Sequence, residues 1–118
     1  MRMIRKKTEQ RVEVLENPHG GQGRITIAHG MEKRDHTNPR FQLLGRVTVP
    51  AGVRVGLHSH EGKTEAFCIL EGVCLYDDGE RHTLLPGDCV VVSGADGAHQ
   101  LQNPGPEPMV YLAVIVAD

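Results

Sequence analysis

Apolar and polar positions alternate along this chain in short runs, and nearly every run is closed by glycine, proline or an Asp-rich pair. Turn signals recur at Gly20-Gly21-Gln22-Gly23, Pro50-Ala51-Gly52, Glu61-Gly62, Asp77-Asp78-Gly79, Pro86-Gly87-Asp88, Gly94-Ala95-Asp96-Gly97 and Pro104-Gly105-Pro106. These residue types supply the backbone angles that tight reversals need. Between them the pattern predicts strands at 11–16, 24–29, 41–49, 54–60, 64–71, 73–77, 81–85, 89–93, 98–103 and 109–117. Many short strands with evenly spaced turns predict an all-β sandwich or barrel. The charged stretch "MEKRDHTNPR" at 31–40 fits no strand and is expected as a loop or a single helical turn. Residues 1–40 then supply N-terminal strands and a loop, joined to the same domain or used as a dimer contact, and 41–118 form the barrel.

Several strands are apolar on both faces. In "AFCIL", Phe67 and Ile69 share one side while Ala66, Cys68 and Leu70 share the other, and "MVYLAVIVA" behaves alike. A small barrel fills its interior with one face only, so the second face needs a cover: the N-terminal strands, a second subunit, or both. A homodimer is expected.

Composition narrows the function classes. At 118 residues the chain is one domain with room for a core. A formal net charge of -2 gives no basic field for nucleic acid or anionic lipid. The basic cluster Arg2, Arg5, Lys6, Lys7 is read as a solvated, frayed end. No secretory h-region opens the chain, and the longest apolar run, Met109–Ala117, is too short to span a bilayer as a helix. Cys68, Cys74 and Cys89 are odd in number and form no C-x-x-C, so reduced, buried thiols in a cytoplasmic protein are expected.

Candidate chemistry centres on "GLHSHEGKTE", residues 56–65. If 54–60 and 64–71 form a hairpin around Glu61-Gly62-Lys63-Thr64, His60 lies opposite Glu65 and His58 opposite Phe67. Opposed Cβ atoms stand about 5 Å apart on one face, and residues two apart on a strand share a face at roughly 6.6 Å. His58, His60 and Glu65 would then converge on the inward face, with Phe67 and Ile69. Two imidazoles and a carboxylate in an apolar interior are costly unless something pairs them. A divalent cation is one such partner; a hydrogen-bonded His/Glu cluster without metal is the other. His99, in "GAHQLQN", shares a face with Leu101 and Asn103 and joins the set if its strand lies beside the hairpin.

Here the sequence resembles the cupins. Their first motif, G-x5-HxH-x3,4-E-x6-G, is matched in full by Gly52, His58, His60, Glu65 and Gly72. Their second, G-x5-PxG-x2-H-x3-N, is matched at Gly87, His99 and Asn103; Ser93 replaces the proline, Asp96 takes the place of the second glycine, and the loop is one residue longer. The resemblance, over about residues 41–117, implies a double-stranded β-helix barrel of jelly-roll type, its sheet extended by the N-terminal strands. It also implies a divalent metal held by His58, His60, Glu65 and His99 near the wider mouth.

Three neutral imidazoles and a carboxylate suit Mn, Fe, Co, Ni, Cu or Zn. Zinc is content with four ligands, whereas manganese or iron would keep two positions for water or a small oxygen-rich ligand. The chain looks like the short stand-alone cupins compared with oxalate decarboxylases and sugar-phosphate isomerases. The expectation is therefore a small metalloenzyme (decarboxylase, dioxygenase or isomerase) acting on a carboxylate, hydroxy-acid or sugar derivative. The alternative is a non-catalytic module that binds or senses such a molecule. The catalytic residues stay open. Arg54 shares a face with His58 if its strand is regular, Glu61 and Asp96 lie in loops at the mouth, and each also reads as an ordinary solvated side chain. His19, His29, His36 and His82 have no spaced partner and are expected as surface or capping residues.

Overall fold

Val, Ile, Leu and aromatic residues between turn-forming glycines leave the backbone little choice but extended structure. The computed structural model, which describes residues 2–118, contains all ten expected strands. They are β1 (Arg11–Glu16), β2 (Arg24–Glu32), β3 (Phe41–Val49), β4 (Arg54–His58), β5 (Lys63–Glu71), β6 (Cys74–Asp77), β7 (Arg81–Leu84), β8 (Cys89–Ser93), β9 (His99–Gln102) and β10 (Met109–Ala117). β2 runs three residues past the expected end because its register shifts between His29 and Met31, placing Gly30 in a bulge rather than a stop.

Two antiparallel sheets face one another. The larger has the order β1-β2-β3-β10-β5-β8 and the smaller β4-β9-β6-β7. The expected hairpin of β4 with β5 does not form, since the two strands belong to different sheets. β5 is apolar on both faces and is held between β10 and β8. Residues 59–62 instead cross from one sheet to the other. Four residues reach about 13 Å when extended, enough for the roughly 10 Å between stacked sheets.

The core lies between the sheets. Val47, Val49, Phe67, Ile69, Met109 and Tyr111 of the larger sheet meet Val55, Cys74, Tyr76 and Leu101 of the smaller. Each large apolar side chain buried there contributes about 1.5–3 kcal/mol.

The other face of the larger sheet is open. Val12, Ala28, Arg46, Leu112, Cys68 and Cys89 stand side by side across all six strands. β1 and β2 extend this sheet sideways and do not cover it, so Val12, Val14, Leu44, Leu70, Val91 and Leu112 remain exposed. Cys68 and Cys89, directly opposed on β5 and β8, form a disulfide on this face. The expectation of three reduced, buried thiols therefore fails for two of them. Their pairing depends on a strand register that sequence spacing does not reveal. Cys74 alone is free; burial pushes its thiol up to about 12, so it stays protonated and inert.

Of the N-terminal basic cluster, Arg5 is tied down, its Nη1 pairing with Asp35 at 2.7 Å, while Arg2, Lys6 and Lys7 are exposed. Among the described residues no helix is long and apolar enough to cross a membrane.

Candidate metal centre

β4 carries the first ligand candidate through an irregularity. Val55 pairs with Leu101 and His58 with His99, so three steps on β4 match two on β9. The extra residue forms a bulge at Gly56-Leu57. Val55 and His58 therefore both face inward while Leu57 is exposed. In a regular strand Arg54 would have shared the face of His58; the bulge reverses that parity. Arg54 lies on the outer face opposite Gln102 and reaches Gln100 Oε1 at 3.4 Å, in a polar groove with Asp77, Arg81 and Thr83. It is not part of the site.

β4 ends at His58, so His60 lies in the crossover. Glu65 stands on β5 between Ile115 and Val92, on the inner face of the larger sheet. The convergence expected of a hairpin is thus achieved across the barrel: β4 and β9 present His58 and His99, the crossover presents His60, and β5 presents Glu65. One ligand atom from each of the four lies within 4.8 Å of all the others.

The donor atoms are poorly satisfied. His60 Nε2 lies 3.1 Å from Glu65 Oε1 without hydrogen-bond alignment, and His99 Nε2 lies 3.8 Å from the same oxygen. His60 Nε2 and both ring nitrogens of His99 are buried with no hydrogen-bond partner. Orphaned buried nitrogens are uncommon in folded proteins. His58 is oriented differently: its Nδ1 donates to the Gly56 carbonyl at 2.8 Å, which leaves Nε2 as the free lone pair.

Burial pushes His58 down to about 4 and also lowers His99, against the pull of the Glu65 carboxylate on the latter. Both rings are therefore held toward the neutral form that coordinates a metal. Imidazoles with unpartnered nitrogens around one buried carboxylate fit a divalent transition metal.

Other histidines divide. His29, expected at the surface, is buried, and its Nε2 donates to Glu13 Oε1 at 2.8 Å. His82 is half exposed beside Glu80, and His36 Nδ1 accepts from the Asn38 amide. His19 was also expected to be a surface or capping residue, but its ring stacks on His58 with centroids 4.0 Å apart and planes 10° from parallel. Only its place in the Asn17-Pro18-His19-Gly20 turn could have drawn attention to it. Tyr76 backs His99 with its ring, 5.5 Å away and 25° from parallel. Beyond Tyr76 a cavity of about 480 Å³ opens between β7 and β8.

His58 on the bulged strand, His60 in the crossover, Glu65 on the facing sheet and His99 paired with His58 are the histidines and the carboxylate of the two motifs. The chain also matches the Cupin_2 family, described as a cupin domain, over residues 45–115.

The chain is a cupin.

Its barrel is accordingly a double-stranded β-helix. This cupin is 36% identical to the oxalate-binding protein of Thermotoga maritima over 117 residues, covering 97% of this chain and 93% of that protein. Among solved structures it superposes on a predicted oxalate decarboxylase from T. maritima with a TM-score of 0.87 and 32% identity, over 98% of this chain and all of that one. It shares the fold of KdgF from Halomonas sp. at a TM-score of 0.76 and 17% identity, over 100% and 96% of the two chains.

The departures of this cupin from the second motif are absorbed locally. Gly94–Asp96 form a 3-10 turn in which the Asp96 carboxylate accepts from the amide and hydroxyl of Ser93. Gly94 packs against the backbone of His60 and Glu61, where a Cβ would stand 2.8 Å from the His60 carbonyl oxygen. Asp96 is thereby committed to its own loop, and Glu61 is exposed beside it.

Proposed function

We propose that this cupin holds one divalent transition metal on His58, His60, Glu65 and His99 and binds a small carboxylate, such as oxalate, at the positions these leave open. The observation that carries the reading is the meeting of four donors from the two sheets and the crossover between them, with His60 Nε2 and both His99 ring nitrogens unpartnered. The 36%-identical oxalate-binding protein supports the ligand class. When bound, such a cation acts as a Lewis acid toward a coordinated oxygen. Glu65 offsets the cation's charge, the Gly56 carbonyl fixes the ring of His58, and Tyr76 backs His99.

Binding is preferred to turnover because Asp96, one of two carboxylates expected at the mouth, is occupied in capping Ser93. Turnover is the second reading, favoured by the resemblance to a predicted oxalate decarboxylase. It would split hydrogen oxalate into carbon dioxide and formate, the proton becoming the C–H of formate. Calorimetry with protein loaded with Mn(II), Co(II) or Ni(II) should show oxalate binding that is absent from the metal-free protein and much weaker for acetate. Equal oxalate binding with and without metal would refute the ligand mode. Formate appearing in the loaded mixture would establish turnover.

We further propose that a second copy covers the open face of the larger sheet, supported by the exposed Val12, Val14, Leu44, Leu70, Val91 and Leu112. Light scattering should report twice the chain mass at micromolar concentration. A monomer, or a dimer that survives Leu112→Glu unchanged, would contradict this.

A further inference from the structure

His19 lies outside the matched cupin region, which begins at residue 45, yet it touches the candidate centre. The loop that carries it is closed on itself: Asn17 donates its amide to the Gly23 carbonyl at 2.7 Å, and its Oδ1 accepts from the Gly23 amide at 3.1 Å. It is also docked on β4 backbone to backbone. Gln22 and Arg54 exchange two hydrogen bonds of 3.0 and 2.9 Å. A Cβ at Gly21 would collide with the Arg54 carbonyl, and one at Gly56 would collide with the His19 carbonyl. The loop therefore sits on the bulge that turns His58 inward.

Within it, Asn17 and His19 adopt left-handed backbone angles, with φ of 48° and 52°. Residues other than glycine rarely hold that conformation unless the surroundings enforce it, and such sites cluster where geometry serves function. The enforced angle at His19 brings its ring flat against His58, at 4.0 Å and 10°. His58 is then fixed on two sides, by the Gly56 carbonyl at Nδ1 and by the face of His19.

We infer that His19 is a positioning residue of the metal centre, whose stacked ring sets the plane in which His58 offers Nε2 to the cation. This rests on the metal reading proposed above. It makes the N-terminal loop part of the centre.

The test uses the full chain titrated with Co(II), reading affinity by calorimetry and ligand geometry by the visible d–d absorption. His19→Asn tolerates the left-handed backbone but has no ring; His19→Phe keeps a ring to stack and has no nitrogen. Partners outside the ligand set typically alter metal affinity 10–100-fold. His19→Asn should therefore bind Co(II) at least about 10-fold more weakly than the parent, with a shifted d–d spectrum. His19→Phe should stay within about 3-fold, because stacking is retained. Parent-like affinity and spectrum in His19→Asn would overturn the inference, as would equal weakening in both variants. His58→Ala separates the two readings: if it binds Co(II) like the parent, the metal assignment fails and this inference fails with it. If it loses Co(II) while His19→Asn does not, only the inference fails.

Discussion

Glu65→Gln should leave a folded protein that no longer retains a transition metal. Affinity is expected to fall at least about 100-fold, beyond the range usual for residues that only support a ligand. Glutamine keeps the shape of the side chain and removes its charge. Glu65 is buried on the inner face of β5, and the atoms it faces include the unpartnered nitrogens of His60 and His99. A buried carboxylate without a cation to pair it costs stability in the metal-free fold. The metal-free variant should therefore melt at or above the temperature of the metal-free parent. Excess Co(II) or Ni(II) should raise the melting temperature of the parent by mass action and leave that of Glu65→Gln nearly unchanged. Elemental analysis of both proteins gives an independent reading. A parent-sized thermal shift in the variant would show that the carboxylate is not a ligand.

The second large effect concerns stability. Asn103 is 0% exposed, and its side chain makes three hydrogen bonds. Nδ2 donates to the carbonyls of Val49 and Glu107, and Oδ1 accepts from the Gly105 amide, all at 2.8 Å. Its backbone adds bonds to Val53 and Gly52. One residue thus joins the end of β3, the entry to β4 and the loop before β10. Asn103→Ala leaves several of these groups unsatisfied in the interior, at about 1–3 kcal/mol each. A total loss of roughly 3–5 kcal/mol is expected, lowering the melting temperature by about 10–20 °C. The ligands are untouched, so the folded fraction should still bind metal. A loss below about 1 kcal/mol would mean that water or a shifted loop replaces the side chain. The H-x3-N spacing thereby gains a physical meaning: His99 opens β9 within the four-donor cluster, and Asn103 fastens the chain just past the other end of that strand.

Much of this was legible in the sequence, because strands and turns are local. Alternation and turn residues place β1, β3, β8 and β10 at their observed limits. The inward set His99, Leu101 and Asn103 follows from parity alone. What was hidden depends on pairing between distant segments. The sheet that β5 joins is decided by β10 and β8, so the expected hairpin with β4 failed. The four donors nevertheless meet, because the crossover brings Glu65 to face the strands its hairpin partner would have joined. One extra residue at Gly56-Leu57 sends Arg54 to the wrong face, and no composition signal marks it. The Cys68–Cys89 bond needs the β5–β8 register, and the stacking of His19 needs a docked loop 39 positions away from His58.

The division of donors between the layers also has a mechanical side. His58 and His99 ride on one sheet and Glu65 on the other, while the far end is closed by apolar contacts among Val49, Cys74 and Met109. A cation gripping all four donors would act as a clasp across the rim. The layers could not part there without dropping it, so guests would have to come and go past a rigid lip rather than through a breathing seam.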